Sequence, residues 1–349
     1  MKSKQVKVDE IHLVGAQRWW AYITIILVAL MFLFGLLLQV LSVFGVFDIP
    51  FEFYPAPRQE VVEEVGDPRI LFVGDVMLDR GVLNRINEYG DGDYRFPFAY
   101  AEPVFAEYDH VVANLEGPVS DRGTLVGSKY SFRFPSLVAP VLQEVGIDTV
   151  SLANNHIWDY GKEALCDSVV HLHDAGIGTV GAGCTDALAN QAHDVVINGV
   201  SVRFLSYTNL YPDGLTARGE FPGVSDLDFD RIEGLLGTPG VNIVLMHWGD
   251  EYEPRSHPRD QEIARKLIDI GADAVIGHHP HVTQEIETYN NGVIVYSLGN
   301  FIFDQYFSEE TMRGYAVGLE LGETTVNRFE VLPYRLNDQY QPIFRGHEK

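Results

Sequence analysis

The sequence predicts an α/β domain with a largely parallel sheet core, preceded by one transmembrane helix. Three observations lead to this prediction. A run of 29 residues without a charge lies near the start of the chain, short β-rich apolar segments alternate with helical segments from residue 69 onward, and the 349 residues carry a formal net charge of −24. Alternating strands and helices are typical of parallel sheets that are covered by helices.

The composition excludes several classes of protein. Hydrophobic residues make up 46% of the chain and charged residues 21%, which excludes a disordered or fibrous protein. Because 49 Asp and Glu outweigh 25 Lys and Arg, no nucleic acid is expected as a partner. Two cysteines are too few for a Cys-rich zinc module, and whether Cys166 and Cys184 pair stays open.

Residues 19–47 are predicted to form the transmembrane helix. A helix of this length spans about 43 Å, which exceeds the hydrocarbon core of a bilayer. The alternative is a cleaved signal peptide, but its apolar stretch is about 7–15 residues long and ends in a small-residue cleavage site, which this segment lacks. Residues 1–18 carry a net charge of +2, which favours a single-pass protein of the cell membrane with a cytoplasmic N-terminus and an extracellular C-terminal domain.

The rest of the chain divides into a linker, a domain and a tail. Residues 48–68 contain four prolines and four glutamates, which is typical of an extended, solvated extracytoplasmic linker. Residues 69–340 are the predicted domain, and residues 341–349 are a short C-terminal tail. The predicted strands are Ile70–Gly74, His110–Asn114, Thr149–Ala153, Val200–Tyr207, Asn242–Met246, Ala274–Ile276, Val293–Ser297, Tyr315–Leu321 and Phe329–Arg335.

Two segments of the domain have clear helical character. They are Lys162–Ala175 and Asp260–Ile270, and a glycine follows each of them, as expected at the end of a helix. The last two strands, Tyr315–Leu321 and Phe329–Arg335, have no obvious helix between them. They therefore predict a mixed sheet or a second sheet.

Residue types that bind metals or transfer protons follow six of the predicted strands. They are Asp75, Asn114, Glu116, Asn155, His156, His247, His279, His281 and Asn300. Because ligands of open α/β sheets bind at the carboxyl ends of the strands, we expect these side chains to meet at one edge. Carboxylates, amides and imidazoles together suit a divalent Mn, Zn, Fe or Mg ion.

The pair His279 and His281 is the strongest of these signals. Two imidazoles spaced i, i+2 in extended backbone point to the same side, and three histidines within four residues have no evident structural reason. The single residues are weaker, because Asp75 or Asn155 could cap a helix and His247 could be an ordinary core histidine. Their recurrence at six strand ends is what predicts a shared site.

Four residues are candidates for binding a substrate. They are Arg80, Lys129, Arg133 and Asn300. The three cations lie near the polar segments of a very acidic chain, so we expect them to bind a carboxylate or a phosphate. Surface ion pairs are the alternative.

Seven short motifs occur in a fixed order within residues 69–306. They are Gly74–Leu78, Asn114–Glu116, Ala153–Gly161, Gly181–Gly183, His247–Gly249, Gly277–His281 and Tyr296–Phe301. In this order they resemble the CapA family of poly-γ-glutamate capsule synthesis proteins. That family is similar to the calcineurin-like metallophosphoesterases. The resemblance thus implies a four-layer α/β/β/α sandwich of the metallophosphoesterase type, with metals at the carboxyl ends of the central strands.

The resemblance also implies a role for each motif residue. Metal ligands would come from Asp75, Asn114, Glu116, Asn155, His247, His279 and His281, and the catalytic residues would be His156, which acts on the leaving group, and Glu116. Met77 departs from the phosphoesterase pattern, because it stands where the Asp-x-His motif has its histidine. A thioether is a poor ligand for hard divalent ions, so the number of ions, one or two, stays open.

Together these features predict a membrane-anchored CapA-like protein of capsule or poly-γ-glutamate synthesis or export. Its site is expected to be that of a metal-dependent hydrolase acting on a phosphoester or amide bond. The implied partners are the lipid bilayer, an anionic polymer such as poly-γ-glutamate, and membrane subunits of a synthesis or export complex. Two alternatives stay open, a non-catalytic accessory subunit of such a complex and a secreted metallophosphoesterase.

Overall fold

The computed structural model describes residues 26–34, 36–37, 40, 66–127, 129–210 and 213–345. The chain divides into two units, Met1–Glu63 and Glu64–Lys349. In the first unit the described residues are helical and exposed. Among all described residues, no helix is both long enough and apolar enough to cross a membrane. The predicted cytoplasmic segment 1–18, and most of the predicted transmembrane helix 19–47 and linker 48–68, lie outside the described residues.

The described part of the second unit contains sixteen strands and seven α-helices. The strands are β1 (Arg69–Val76), β2 (His110–Leu115), β3 (Thr149–Ser151), β4 (Gly178–Val180), β5 (Ala182–Gly183), β6 (His193–Ile197), β7 (Val200–Thr208), β8 (Gly223–Val224), β9 (Val241–His247), β10 (Ala274–His278), β11 (Ile286–Tyr289), β12 (Gly292–Val295), β13 (Asn300–Ile302), β14 (Arg313–Leu321), β15 (Val326–Leu336) and β16 (Pro342–Phe344). The helices are α1 (Arg80–Tyr89), α2 (Glu102–Phe105), α3 (Val138–Glu144), α4 (Gly161–Asp174), α5 (Asp186–Ala189), α6 (Phe229–Leu236) and α7 (Pro258–Asp269). Every predicted strand and both predicted helices are confirmed, with ends that differ by at most three residues.

The larger of the two main sheets is mixed. Its strand order is β16-β15-β14-β1-β2-β3-β4, and β13 pairs with the end of β1. Strands β1 to β4 and β13 are parallel, whereas β14, β15 and β16 extend the sheet in antiparallel fashion. The last strands thus complete a mixed sheet, which is one of the two arrangements expected. Because β16 belongs to it, the sheet reaches into the segment 341–349 that was predicted as a tail.

The smaller main sheet has the order β11-β12-β10-β9-β7-β6. Its four inner strands are parallel, and its two outer strands are antiparallel to their neighbours. Strands β9 and β10 therefore point their carboxyl ends in the same direction. These ends carry His247 and the segment that begins at His278.

Successive side chains of a strand point to opposite faces of the sheet, and the buried apolar residues therefore form three separate cores. In β1, Ile70 and Phe72 pack between the two sheets, whereas Leu71 and Val73 pack against helices. Helices α1, α3 and α4 cover the outer face of the large sheet, and α6 and α7 cover the outer face of the small sheet. The domain therefore has four layers, α/β/β/α, which agrees with the expected sandwich.

Two local features answer expectations from the sequence. A disulfide joins Cys166 in α4 to Cys184, which follows β5, so the two cysteines are paired. Gly176 and Gly271, which follow α4 and α7, have φ angles of 84° and 118°. Only glycine adopts such angles without strain, which explains why both helices end where they do.

Candidate metal centre

Asp75 lies near the carboxyl end of β1, between the neighbouring strands β2 and β13. It is level with Asn114 on one side and with Asn300 on the other. A Cβ atom on Gly74 would lie only 1.9 Å from the carbonyl oxygen of Gly299. The glycine therefore allows the chain before β13 to approach, and the Asp75 amide donates to that same oxygen at 3.1 Å. This approach fixes the backbone that carries the Asp75 carboxylate.

The Asn114 amide connects two buried carboxylates. Its Nδ2 donates to Asp75 Oδ1 at 2.7 Å and lies 3.3 Å from Glu116 Oε2. Its Oδ1 accepts from Asn154 Nδ2 at 3.1 Å, and Asn154 also donates to the Leu115 carbonyl. Both ends of the Asn114 amide are thus engaged by the protein. The sequence predicted a metal ligand at this position. The geometry instead favours a structural role, in which the Asn114 amide fixes the positions of the two carboxylates.

Glu116 is fully buried, and its Oε1 has no hydrogen-bond partner among the described residues. The nearby imidazole nitrogens are His281 Nε2 at 3.7 Å and His156 Nε2 at 3.8 Å. Burial raises the pKa of the Glu116 carboxyl well above its usual value, and the nearby Asp75 charge adds to this, although His281 opposes it. A bare carboxylate here is costly, and a cation beside it would remove that cost.

His279 and His281 leave β10 through a sharp bend, with Pro280 between them. Their φ angles are 99° and 59°, which lie in the left-handed region. The expectation that extended backbone aligns the two rings is therefore wrong, because the segment is bent at both histidines. The rings still lie close together, with centroids 5.8 Å apart. The adjacent His278 turns away from them, and its Nε2 lies 3.3 Å from the Val73 carbonyl oxygen.

The His281 ring lies between the two carboxylates. Its Nδ1 is 3.4 Å from Asp75 Oδ2 and 2.9 Å from Asn300 Oδ1. Burial lowers its pKa, but Glu116 and Asp75 outweigh burial and raise the pKa to about 9. Burial likewise opposes ionisation of Asp75, yet His281 and Asn114 hold the pKa of that carboxyl below its usual value. The two carboxylates thus favour the protonated form of the His281 ring.

A second group of ligand types lies beside the first. Asn155 Oδ1 is 2.8 Å from His247 Nε2, although 92 positions separate the two residues. The rings of His247 and His279 are 4.8 Å apart between centroids. Burial lowers the pKa of both imidazoles, to about 3 for His279 and well below the usual value for His247, and the neighbouring histidines add to the effect. Both rings are therefore neutral at pH 7, the state in which imidazole binds metal.

Several buried ligand atoms of this edge lack a partner in the part of the chain that the structure describes. They are Glu116 Oε1, His247 Nδ1 and His279 Nδ1. In addition, ligand atoms of Asp75, Glu116 and His281 all lie within 4.8 Å of one another. Buried polar atoms are normally satisfied, so a cluster of unpaired ones needs an explanation. The donor set of carboxylate, imidazole and amide groups fits a divalent ion such as Mn, Zn or Fe.

His156 is oriented by an aspartate that the sequence did not single out. Asp159 Oδ2 lies 2.7 Å from His156 Nδ1 and also accepts from the Phe132 amide at 2.8 Å. The Phe132 ring packs against the imidazole, with centroids 4.1 Å apart. The Nε2 atom of His156 therefore faces Glu116. The spacing His-x-x-Asp within one turn was the signal that could have revealed this pair.

Comparison with known proteins shows the family of this chain. Residues 69–305 match the family model described as bacterial capsule synthesis protein PGA_cap. The chain belongs to this family. The "PGA biosynthesis protein CapA" of Bacillus subtilis is 33% identical over 76% of this chain and 71% of the relative, and the "Capsule biosynthesis protein CapA" of Bacillus anthracis is 31% identical over 76% and 67%. A solved structure titled as a novel phosphatase from Mycoplasma pneumoniae is 14% identical, with a TM-score of 0.47, and the match covers 77% of this chain and 93% of that chain.

Met77 of this PGA_cap protein, two positions after Asp75, is fully buried. Its sulfur lies 3.1 Å from the backbone nitrogen of Asp79, the residue that caps α1. The side chain thus supports the turn between β1 and α1. The position supplies no hard ligand, as the sequence indicated.

The predicted substrate-binding cations differ in their surroundings. Arg80 pairs with Asp304 at 3.0 Å, and its guanidinium lies over the rings of Tyr130 and Phe132. Through Phe132 it is connected to the ring of His156. Arg133 stacks on Tyr160 and donates to the Arg122 carbonyl, whereas the exposed Lys129 lies 4.9 Å from the Tyr130 ring. Of the three, Arg80 has the contacts that connect it to the centre.

Asn300, the fourth predicted substrate-binding residue, is fully buried. Its Oδ1 faces His281 Nδ1, and its Nδ2 donates to Gln305 Oε1 and to the Thr311 carbonyl. All polar atoms of the amide are therefore engaged by the protein. This arrangement fits a residue that orients the His281 ring.

Proposed function

We propose that this PGA_cap protein is a membrane-anchored hydrolase of capsule or poly-γ-glutamate metabolism, with a divalent-metal centre in its extracellular domain. The observation that carries the proposal is the set of unpaired buried ligand atoms on Glu116, His247 and His279. Each buried polar atom left unpaired costs about 1–3 kcal/mol. A cation bound to them would remove several such costs at once.

Two sets of residues would hold metal. Asp75, Glu116 and His281 form the first set, and their ligand atoms are already close together. Asn155, His247 and His279 form the second set, beside the first. When bound, a divalent ion supplies positive charge that polarises a scissile carbonyl or phosphoryl oxygen.

His156 is proposed to act on the leaving group. The Asp159 carboxylate accepts from Nδ1 and holds the ring, which leaves Nε2 directed towards the centre. A proton on Nε2 would then lie where a leaving nitrogen or oxygen departs. Arg80, at the edge of the same region, would bind a carboxylate or phosphate of the substrate, in exchange for its contact with Asp304.

The substrate class is inferred from the relatives. The names of two of them refer to PGA and capsule biosynthesis. We infer that the bond cleaved is an amide of a γ-linked polyglutamate chain. A phosphoester remains the chemical alternative, because the same centre would polarise either kind of oxygen.

One observation favours a second candidate function. Met77 supplies no ligand at the position where a phosphoesterase has histidine, so the centre has one imidazole fewer. A PGA_cap protein with a weakened centre would serve as a non-catalytic accessory subunit of a polymer synthesis or export complex. The two candidates differ in what the purified protein contains and cleaves.

The experiment compares metal content and cleavage for the full chain, purified in detergent. For the hydrolase we expect one or two divalent ions per chain by mass spectrometry of the elements, and shortening of poly-γ-glutamate on a gel. Glu116→Gln and His279→Gln are expected to lose the metal, while the exposed His173→Gln is the matched control. Asp159→Asn is expected to keep the metal and slow cleavage.

The possible outcomes separate the candidates. A chain that lacks stoichiometric metal and cleaves neither poly-γ-glutamate nor bis-p-nitrophenyl phosphate favours the accessory subunit, and cleavage of the phosphodiester alone favours a phosphoesterase. A purified chain without stoichiometric metal would contradict the hydrolase. Membrane anchoring through residues 19–47 is tested in a separate experiment, in which protease is added outside intact cells. We expect the protease to degrade the domain and to leave the N-terminal 18 residues protected.

A further inference from the structure

A groove of about 800 Å³ lies on the large sheet, outside the ligand set described above. Its walls include three arginines, Arg313, Arg335 and Arg345, and we call it the arginine groove. All three side chains are exposed, in a chain whose formal net charge is −24. Thr283, two positions after His281, lines the same groove. The groove therefore borders the segment that carries the histidines of the centre.

Strand register places the three arginines on one face. Arg313 in β14 is directly opposite Arg335 in β15, and Arg335 is directly opposite Ile343 in β16. Arg345 follows Ile343 by two positions, so it belongs to the same side of the sheet. In β14, Arg313 and Val317 are four positions apart and so lie on the same face, and Val317 packs against the small sheet. Towards Arg313 the same face is open to solvent.

The charges of the groove are incompletely balanced by the protein. Like charges directly opposite each other destabilise a strand pair. Two carboxylates offset this: Glu309, with its oxygens 3.4 Å from the Arg313 guanidinium and 2.9 Å from that of Arg335, and Glu310, which lines the groove and interacts with Arg313. Arg345 makes no ion pair with any residue in the described ranges. Both pairs of Glu309 are exposed, so each is weak and is readily exchanged for contacts with another anion.

The walls of the groove also include apolar groups. Tyr315, Pro333 and Ile343 contribute to the lining between and beside the arginines. A guanidinium binds a carboxylate through two parallel hydrogen bonds, and the apolar groups would contact the methylene carbons of an acidic side chain. A ligand with regularly spaced carboxylates, separated by short aliphatic segments, would match this arrangement of arginines and apolar groups.

We propose that the arginine groove binds an anionic chain of carboxylates, as a site separate from the metal centre. The identity of that chain as poly-γ-glutamate rests on the proposed function. Several arginines acting together bind a polymer far more tightly than a single glutamate, because neighbouring carboxylates arrive already tethered. The groove would hold the polymer next to the segment of His281 and so deliver it to the centre.

The test is fluorescence anisotropy of labelled poly-γ-glutamate with the full chain in detergent. The buffer contains EDTA, so binding is scored independently of metal content and cleavage. We expect the double variant Arg313→Gln/Arg335→Gln to bind at least tenfold more weakly than wild type, and added NaCl to weaken wild-type binding. Arg95→Gln is the matched control, because Arg95 forms an exposed pair with Glu102 elsewhere, and its binding is expected to stay unchanged.

Glu309→Gln provides a second variant with the opposite expectation. Removing this carboxylate frees both arginines, so binding is expected to tighten by about threefold, which a loss of folding cannot mimic. Equal binding by wild type and the double variant would overturn the proposal, as would an equal loss in Arg95→Gln. Stronger competition by polyphosphate than by unlabelled poly-γ-glutamate at equal charge would overturn the assignment to carboxylates.

Discussion

Replacing Glu116 by glutamine is expected to stabilise the metal-free protein and to abolish its stabilisation by metal. Glu116 is fully buried, and its Oε1 is unpaired among the described residues. Glutamine has nearly the same shape and removes a buried charge that both burial and the Asp75 carboxylate disfavour, and the lost attraction to His281 at 3.7 Å offsets only part of this gain. An unpaired buried acceptor costs about 1–3 kcal/mol, so the substitution is expected to raise the free energy of unfolding by up to that amount.

The pH dependence of this gain follows from the pKa of Glu116. Burial first, and then the Asp75 charge, raise that pKa above 4.5, so the folded protein binds the proton more tightly than the unfolded chain. The stabilisation from this proton is complete at low pH and is lost as the pH rises. The glutamine side chain of the Glu116→Gln variant imitates the protonated acid at every pH. The advantage of the variant should therefore be largest at pH 7–8 and vanish below about pH 4.5.

Metal is expected to reverse the order of the two proteins. A ligand present at 100 times its Kd stabilises the folded state by about 2.7 kcal/mol per site. Wild type should gain this amount from Mn²⁺, whereas Glu116→Gln should gain little. Thermal unfolding of both proteins, in EDTA and in Mn²⁺, measures the four values, with Glu323→Gln as an exposed carboxylate control. A variant that is less stable than wild type in EDTA, and that gains equally from Mn²⁺, would refute the reasoning.

Three further perturbations test the fold and its charges. Burial lowers the pKa of His110 to about 4, so the unfolded chain binds a proton at a higher pH than the folded protein does. As the pH falls from 7 to 4, the free energy of unfolding of wild type, measured with urea, should therefore decrease by up to about 3 kcal/mol relative to His110→Gln. Gly74→Ala should destabilise the domain by about 1–3 kcal/mol and reduce its metal content, because the new methyl group meets the Gly299 carbonyl oxygen. Cys166→Ser should cost about 3 kcal/mol for the loop closed with Cys184, and reductant should lower the melting temperature of wild type but not of the variant.

Much of the centre could be predicted because parallel strands share one polar edge. Asp75, Glu116 and His281 each follow a buried apolar run, and that pattern alone predicts that they converge. The cluster joins strands of both sheets, although sequence separations reach 206 positions. Hydrophobic alternation was sufficient to find the strands that carry these residues.

The finer roles within the centre depend on tertiary contacts that no local pattern contains. Asn114 and Asn155 are both amides after strands, yet one connects two carboxylates and the other faces His247. The partner of His156 is Asp159, whose function depends on how the chain turns after β3. The bend at His279 could not be predicted either, because left-handed φ angles at residues other than glycine are imposed by the surrounding packing.

The central position of β1 in the large sheet has a consequence for biogenesis. Arg69, the first residue of β1, pairs with Glu320 near the end of β14, and β15 and β16 follow only after that. A ribosome must therefore synthesise nearly the whole polypeptide before this pairing is possible, and such distant contacts form slowly. During synthesis, the N-terminal half of the domain therefore lacks the strands that complete its large sheet. The topology thus delays completion of the large sheet until β14, β15 and β16 have been synthesised.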